Sequence, residues 1–293
     1  LGTDQYLIEA LYDEDIDYAL YEKNLERLSV FAKKQEELLG SQHVRIMLTP
    51  SASEILTDKL PPFAHPFSQA QVLTDLEQKS IASLMVPVRD ALLAAHFDSS
   101  ISSDALYYRT DHHWTSAGAY IGYTAWADSL GIDPLAPSDF AIETVSTNFL
   151  GTIHSKLNLP IAPDSIQLYR PASEPEWNVY YDGSSQPAHS LYSMDALNTR
   201  DQYRVFLDGN HGWTKIENPA QHSDKKLLII KDSYAHSFAP FAALHFDETH
   251  MIDLRYFNGK INQFIEEQGI TDILVLYQIP GFIKDVNVSK LSW

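Results

Sequence analysis

At 293 residues the chain is long enough to bury the core of one large domain, and its 44% hydrophobic and 20% charged content is that of a globular protein, not a disordered one. Twenty-one lysines and arginines against 39 aspartates and glutamates leave a net charge of −18, which repels nucleic acid and anionic lipid but is compatible with neutral substrates such as polysaccharide hydroxyls or acyl esters. There is no cysteine, which excludes disulfides, thiolate nucleophiles and cysteine-ligated zinc and fits an oxidising exterior.

No apolar run is long enough to span a membrane, and the chain begins at Leu1 instead of Met, so a leader or anchor is expected ahead of it. The first 26 residues carry eight acidic side chains and one basic one. Tyr21, Leu25, Leu28 and Phe31 then follow helical spacing up to Gly40, and residues 44–48 read as a short buried strand ending at Thr49-Pro50-Ser51. Pro61, Pro62 and Pro66 mark a loop. A second amphipathic helix is expected through Leu73, Leu76, Ile81 and Leu84, interrupted at Val86-Pro87-Val88, with another helical stretch over residues 90–96. Ser116–Leu130 reads as a helix capped by Thr115 or Ser116 and closed by Gly131.

From residue 133 to 224 short alternations (166–169, 177–181, 203–207) are broken by Pro, Gly and Ser clusters, which predicts an inserted loop-and-strand subdomain. Residues 227–230, 251–254 and 273–277 return to buried strands separated by helix-length segments. The expected organisation is an N-terminal part over 1–132, an insertion over 133–224 and a C-terminal part over 225–293.

Three polar turns carry the candidate chemistry. Ser233 follows the strand at 227–230, where an α/β sheet places its reactive groups, though a serine there also serves as an ordinary helix cap. Asp111 and His113 are spaced i, i+2, so in an extended segment both leave one side of the backbone and the carboxylate can orient the imidazole. The alternative is a surface aspartate beside a core histidine. His112 falls on the opposite face and reads as structural support. Asp111, His112 and His113 could also hold a divalent ion, but no cluster of further Asp and His ligands precedes them. Gly209 and Asn210 offer a backbone and a side-chain amide for an oxyanion, or simply a polar turn; Arg255 could bind a substrate oxygen or make a surface ion pair.

The stretch Tyr107-Tyr108-Arg109-Thr110-Asp111-His112-His113-Trp114-Thr115 resembles the signature of the DHHW proteins, which are similar to bacterial SGNH-like O-acetyltransferases, the alginate group included. Gly151-Thr152 with Ser155-Lys156, Gly209-Asn210-His211, Lys231-Asp232-Ser233-Tyr234 and the run from Ile252 to Phe257 extend the resemblance over nearly the whole chain. It implies an SGNH-hydrolase-like α/β fold, a three-layer α/β/α sandwich with a mostly parallel sheet in permuted order, Asp and His preceding Ser. It also implies that Asp111 orients His113, that His113 is the base and Ser233 the nucleophile. Tyr234, Gly209, Asn210 and Arg255 are the oxyanion or substrate candidates, the asparagine not being fixed by the motif. Lys231 departs from the pattern, standing where a glycine usually precedes Asp-Ser.

The expected activity is extracytoplasmic transfer of an acetyl group through an acyl-serine to a polysaccharide, with the acyl donor supplied by a membrane acyltransferase partner and no metal or cofactor. A carbohydrate acetylesterase shares the chemistry. A non-catalytic glycan-binding protein is the rival from another class, given 16 tyrosines and five tryptophans as sugar-stacking faces.

Overall fold

The computed structural model describes residues 1–98 and 106–292. The long helix α1 (Tyr18–Leu39) starts where the Asp17 carboxylate accepts from the Ala19 and Leu20 amides, and it stops at Gly40, whose φ of 96° leaves the helical region. Strand β1 (Val44–Thr49) follows, buried along its whole length. Next come the single turn α2 (Ala52–Ile55) and α3 (Gln69–Leu76). The expected continuation of α3 to Leu84 does not form: Ser80 adopts φ 63°, and Ile81 and Leu84 reach the core through tight turns instead of a continuous helix. Helix α4 (Val88–Phe97) begins behind Pro87, and α5 (Ser116–Leu130) is capped by the Thr115 hydroxyl on the Gly118 amide and closed by Gly131 at φ 67°.

Strands β2 (Phe140–Phe149) and β3 (Asp164–Pro171) pair antiparallel as a separate ribbon, with α6 (Thr152–Leu157) between them. Strands β4 (Asn178–Tyr181) and β5 (Trp213–Glu217) instead join the central sheet. Residues 203–207, expected as a strand, do not form one: Gln202–Val205 is a 3₁₀ turn, and positive φ follows at Leu207, Asp208 and Gly209. The chain ends with β6 (Lys226–Lys231), α7 (Ala235–Ala242), β7 (Glu248–Asp253), α8 (Ile261–Gln268), β8 (Asp272–Gln278) and α9 (Ile279–Lys284).

The central sheet has the order β1-β8-β6-β7-β5-β4; the first four strands are mutually parallel and the last two antiparallel. Because side chains alternate across a strand, β6 sends Leu227 and Ile229 into one core and Leu228 and Ile230 into the other. The first core receives α4, α5 and α7, the second α1, α3, α8 and α9, which makes the three layers α/β/α. Adjacent parallel strands β6 and β8 therefore leave their carboxyl ends toward opposite faces, β6 into α7 and β8 into α9. A crevice opens where neighbouring connections diverge in this way.

Candidate active site

The crevice holds the turn of Asp111 and His113 and the turn of Ser233. The 111–113 segment is a tight bend, not the extended run expected: the His113 amide donates to Asp111 Oδ1 at 3.0 Å, and His113 Nδ1 approaches the same oxygen at 2.5 Å. The carboxylate's other oxygen accepts from the Thr152 amide at 2.7 Å and the Thr152 hydroxyl at 3.0 Å. Gly151 lets α6 come this close, since a Cβ on it would lie 2.2 Å from Asp111 Cβ. Opposite, His113 Nε2 lies 2.7 Å from Ser233 Oγ, 120 residues away in sequence. Sequence spacing pointed to these three residues, and the sheet order brings them together.

Asp111 and His113 are 2% and 4% exposed, so their charges interact with little screening. Burial alone would raise the Asp111 carboxyl, but the charge and hydrogen bond of His113, then His112 and the Thr152 amide, hold it well below the usual carboxylate range. A group depressed in this way stabilises the fold at pH values above its unfolded pKa of 3.8, and that contribution is lost as pH falls below it. Glu248, lowered to about 2 by its hydrogen bond to His250, acts in the same direction. Melting temperature is therefore expected to hold near neutrality and drop steeply below about pH 4; a melt independent of pH down to about 2.5 would refute it.

Neighbouring side chains brace the pair. Tyr203 stacks on the His113 ring with centroids 3.8 Å apart and planes within 10°, and its hydroxyl reaches Ser237 Oγ at 3.2 Å. Nothing local in the sequence marks Tyr203, because its role depends on a turn packed across the crevice. Trp114 is fully buried against Gly122, where a Cβ would lie 2.8 Å from the indole ring, and its Nε1 donates to the Tyr234 carbonyl. Tyr234 is 1% exposed; its hydroxyl donates to the His112 carbonyl and accepts from Gln278 Nε2. It braces the crevice, and its hydroxyl and amide are both committed, the amide to Asp232. The other Asp232 oxygen accepts from the Gln278 amide, tying the end of β6 to the end of β8.

The oxyanion candidates separate. Arg255 lines a cavity of about 300 Å³ together with Ser233, whereas Gly209 and Asn210 do not. Asn210 is exposed and touches the site only through its side-chain oxygen, which accepts from Arg255 at 3.2 Å. The Asp253 carboxylate fixes Arg255, accepting Nε at 2.9 Å and a terminal nitrogen at 2.6 Å. The Ser233 N–H, in the turn leading to α7, donates to no protein acceptor among the described residues.

Lys231 explains its departure from the glycine pattern by filling the core behind this pair. It is 1% exposed and donates to His236 Nε2 at 2.7 Å, with Asp253 Oδ2 at 3.4 Å. Asp253, itself fully buried, thus pairs with the buried Lys231 ammonium and with the more exposed Arg255 guanidinium. Asp253→Ala is expected to cost about 3–5 kcal/mol, measured by denaturant titration, because it leaves the buried Lys231 charge without its carboxylate; a loss below about 1 kcal/mol would show that Lys231 does not depend on Asp253.

Asp111, His112 and His113 offer ligand atoms within 4.8 Å of one another. The Asp111 oxygens already accept four donors and His113 is bonded at both nitrogens, so a cation would have to displace the whole arrangement.

A family model described as DHHW protein matches residues 78–252. Among solved structures, a DHHW family protein from Eubacterium siraeum is 25% identical with a TM-score of 0.77, covering 96% of this chain and 90% of that one. PatB1 of Bacillus cereus, also solved with a sulfonyl adduct, is 21% identical with a TM-score of 0.78 over 98% of both chains. The O-acetyltransferase domain of Pseudomonas putida AlgJ is 16% identical with a TM-score of 0.55, covering 99% of this chain and 97% of that one. The last two likenesses are of fold alone, the three-layer α/β/α sandwich. No curated protein matches the sequence.

Proposed function

The chain belongs to the DHHW protein family, and from that premise we propose that it is a serine-dependent O-acyltransferase that moves an acetyl group to a polysaccharide hydroxyl. The observation that carries this reading is the relay from the buried Asp111 carboxylate through His113 to Ser233 Oγ. As Oγ attacks the donor carbonyl, His113 Nε2 takes its proton while Asp111 holds Nδ1–H in place. The Ser233 amide and Arg255 stabilise the oxyanion, and Nε2 returns the proton to the leaving group. In the second half-reaction His113 deprotonates a sugar hydroxyl, which attacks the acyl-serine, and Nε2 returns the proton to Oγ as the tetrahedral intermediate collapses. AlgJ, named for an O-acetyltransferase domain of this fold, supports the reaction class.

An acetylesterase differs only in letting water resolve the acyl-serine. The two are separated by acetyl-ester turnover with and without oligosaccharide acceptor: acetylated oligosaccharide is expected, and hydrolysis alone would count against transfer. A silent glycan-binding protein has no use for a buried carboxylate that holds an imidazole against a serine hydroxyl. A sulfonyl fluoride is expected to label Ser233, and PatB1 is known with a sulfonyl adduct; absence of the adduct on folded protein would favour the silent reading. The lack of cysteine supports placing the protein outside the cytoplasm, where a membrane acyltransferase would supply the donor. Recovery of the full-length protein in a cytosolic fraction would refute that placement.

A further inference from the structure

Two cavities meet at the relay. One, of about 300 Å³, contains Ser233 and Arg255; the other, of about 410 Å³, is bounded by the N-terminal segment and the start of α2. His112, Gln278, Gly281 and Lys284 form their common wall. His112 is 29% exposed in its side chain, and its ring lies over His113 with centroids 3.9 Å apart.

The protonation of His112 follows from its neighbour. The Thr152 hydroxyl has one proton, and the ionised Asp111 carboxylate 3.0 Å away can only accept, so that proton points to Asp111. His112 Nδ1, 2.7 Å from the same hydroxyl oxygen, must then be the donor. The proton on Nδ1 leaves Nε2 as an acceptor, and the hydrogen bond that the His112 ring makes among the described residues is the one at Nδ1. Burial, followed by the charge on His113, holds the ring down to about 4, so it stays neutral near pH 7.

We propose that His112 is an acceptor-binding residue: its Nε2 accepts a hydrogen bond from an O–H or N–H adjacent to the sugar hydroxyl that His113 deprotonates. This rests on the transferase reading above. The attacking hydroxyl must give its proton to His113, so it cannot also be the group that His112 holds. Two imidazoles with centroids 3.9 Å apart, tilted by 36°, match two neighbouring substituents on one sugar ring. The 410 Å³ cavity then takes the rest of the acceptor. Leu7, Leu11 and Ile153 offer apolar contact to a pyranose face, and Asp15 and Glu9, the latter paired with Lys156 at 2.9 Å, accept from hydroxyls; with Asp111 they outweigh Lys284 and disfavour carboxylates. The acceptor is accordingly a neutral glycan, not a polyuronate.

Binding is tested in Ser233→Ala protein with chitotetraose and tetragalacturonate as probes, by saturation-transfer NMR. Chitotetraose is expected to bind about tenfold or more tightly than tetragalacturonate, and adding His112→Phe to weaken it about tenfold, while His112→Gln, which keeps an acceptor oxygen, retains most of the affinity. In protein carrying Ser233, His112→Phe is expected to raise acceptor KM far more than it slows acylation by an acetyl ester. Binding of neither probe, equal binding of both, or equal losses in acylation and transfer would overturn the proposal. If the protein hydrolyses donor without acetylating any sugar while the binding difference stands, the transferase reading fails and the subsite survives. If transfer is robust and His112→Phe leaves acceptor KM unchanged, the subsite fails alone.

Discussion

Ser233→Ala is expected to lower acetyl-ester turnover by a factor on the order of 10⁴–10⁶ with little change in the fold. The hydroxyl's partner is His113 Nε2, and its removal opens a space that water can fill at a half-buried position. Members of such a relay act as a unit, so His113→Ala should cost nearly as much, and the double variant little more than either alone. Asp111→Asn belongs to the same series. The amide cannot accept from His113 with the strength of a carboxylate and favours the wrong tautomer, so a loss on the order of 10²–10⁴ is expected with the backbone intact. Burst kinetics with an activated acetyl ester, alongside circular dichroism, measure all four proteins. A Ser233→Ala rate within tenfold of the parent, or multiplying losses in the double variant, would show that the three groups meet in space without acting together.

Gly151→Ala is expected to have the second-largest effect. The backbone there has φ −78° and ψ −167°, which alanine adopts easily, so the cost comes from space alone. The new methyl would lie 2.2 Å from Asp111 Cβ and 2.4 Å from Oδ2. Neither atom is the far end of a flexible chain, because Asp111 is held by His113 and by Thr152. Either α6 retreats and Thr152 releases the carboxylate, or the bend at residues 111–113 shifts and carries His113 away from Ser233. Overpacking of this kind costs about 1–3 kcal/mol, and misplacing the base by about 1 Å costs roughly a hundredfold in rate. Thermal melts and ester turnover read the two effects separately. Parental values in both would mean that the loop yields without disturbing the carboxylate.

Much of the architecture was legible in the sequence because it rests on local pattern. Residues 227–230 and 273–277 read as buried strands, since a strand covered on both faces must be apolar throughout, and both proved to be central in the sheet. Gly40 and Gly131 marked helix ends because only glycine reaches their backbone conformations cheaply. The helix expected to run on to Leu84 broke at Ser80, where apolar spacing persisted without helical geometry. Strands β2 and β5 gave no comparable signal. Half-exposed strands in a region of turns carry little apolar contrast, and β5 is defined by its pairing to β7.

The same division holds at the site. The amino-acid sequence by itself determined the donor and acceptor chemistry: a carboxylate two residues before an imidazole, a serine closing an apolar strand, no thiol, and a strongly acidic surface. Only the tertiary structure decided which groups meet. It placed Arg255 beside Ser233, left Asn210 outside, committed Tyr234 to bracing, and laid Tyr203 on His113. Periodicity records which face of an element is buried, a property of neighbouring residues. A 2.7 Å contact across 120 residues depends on strand order, register and the divergence of loops at β6 and β8, and these are set by the packing of the whole chain.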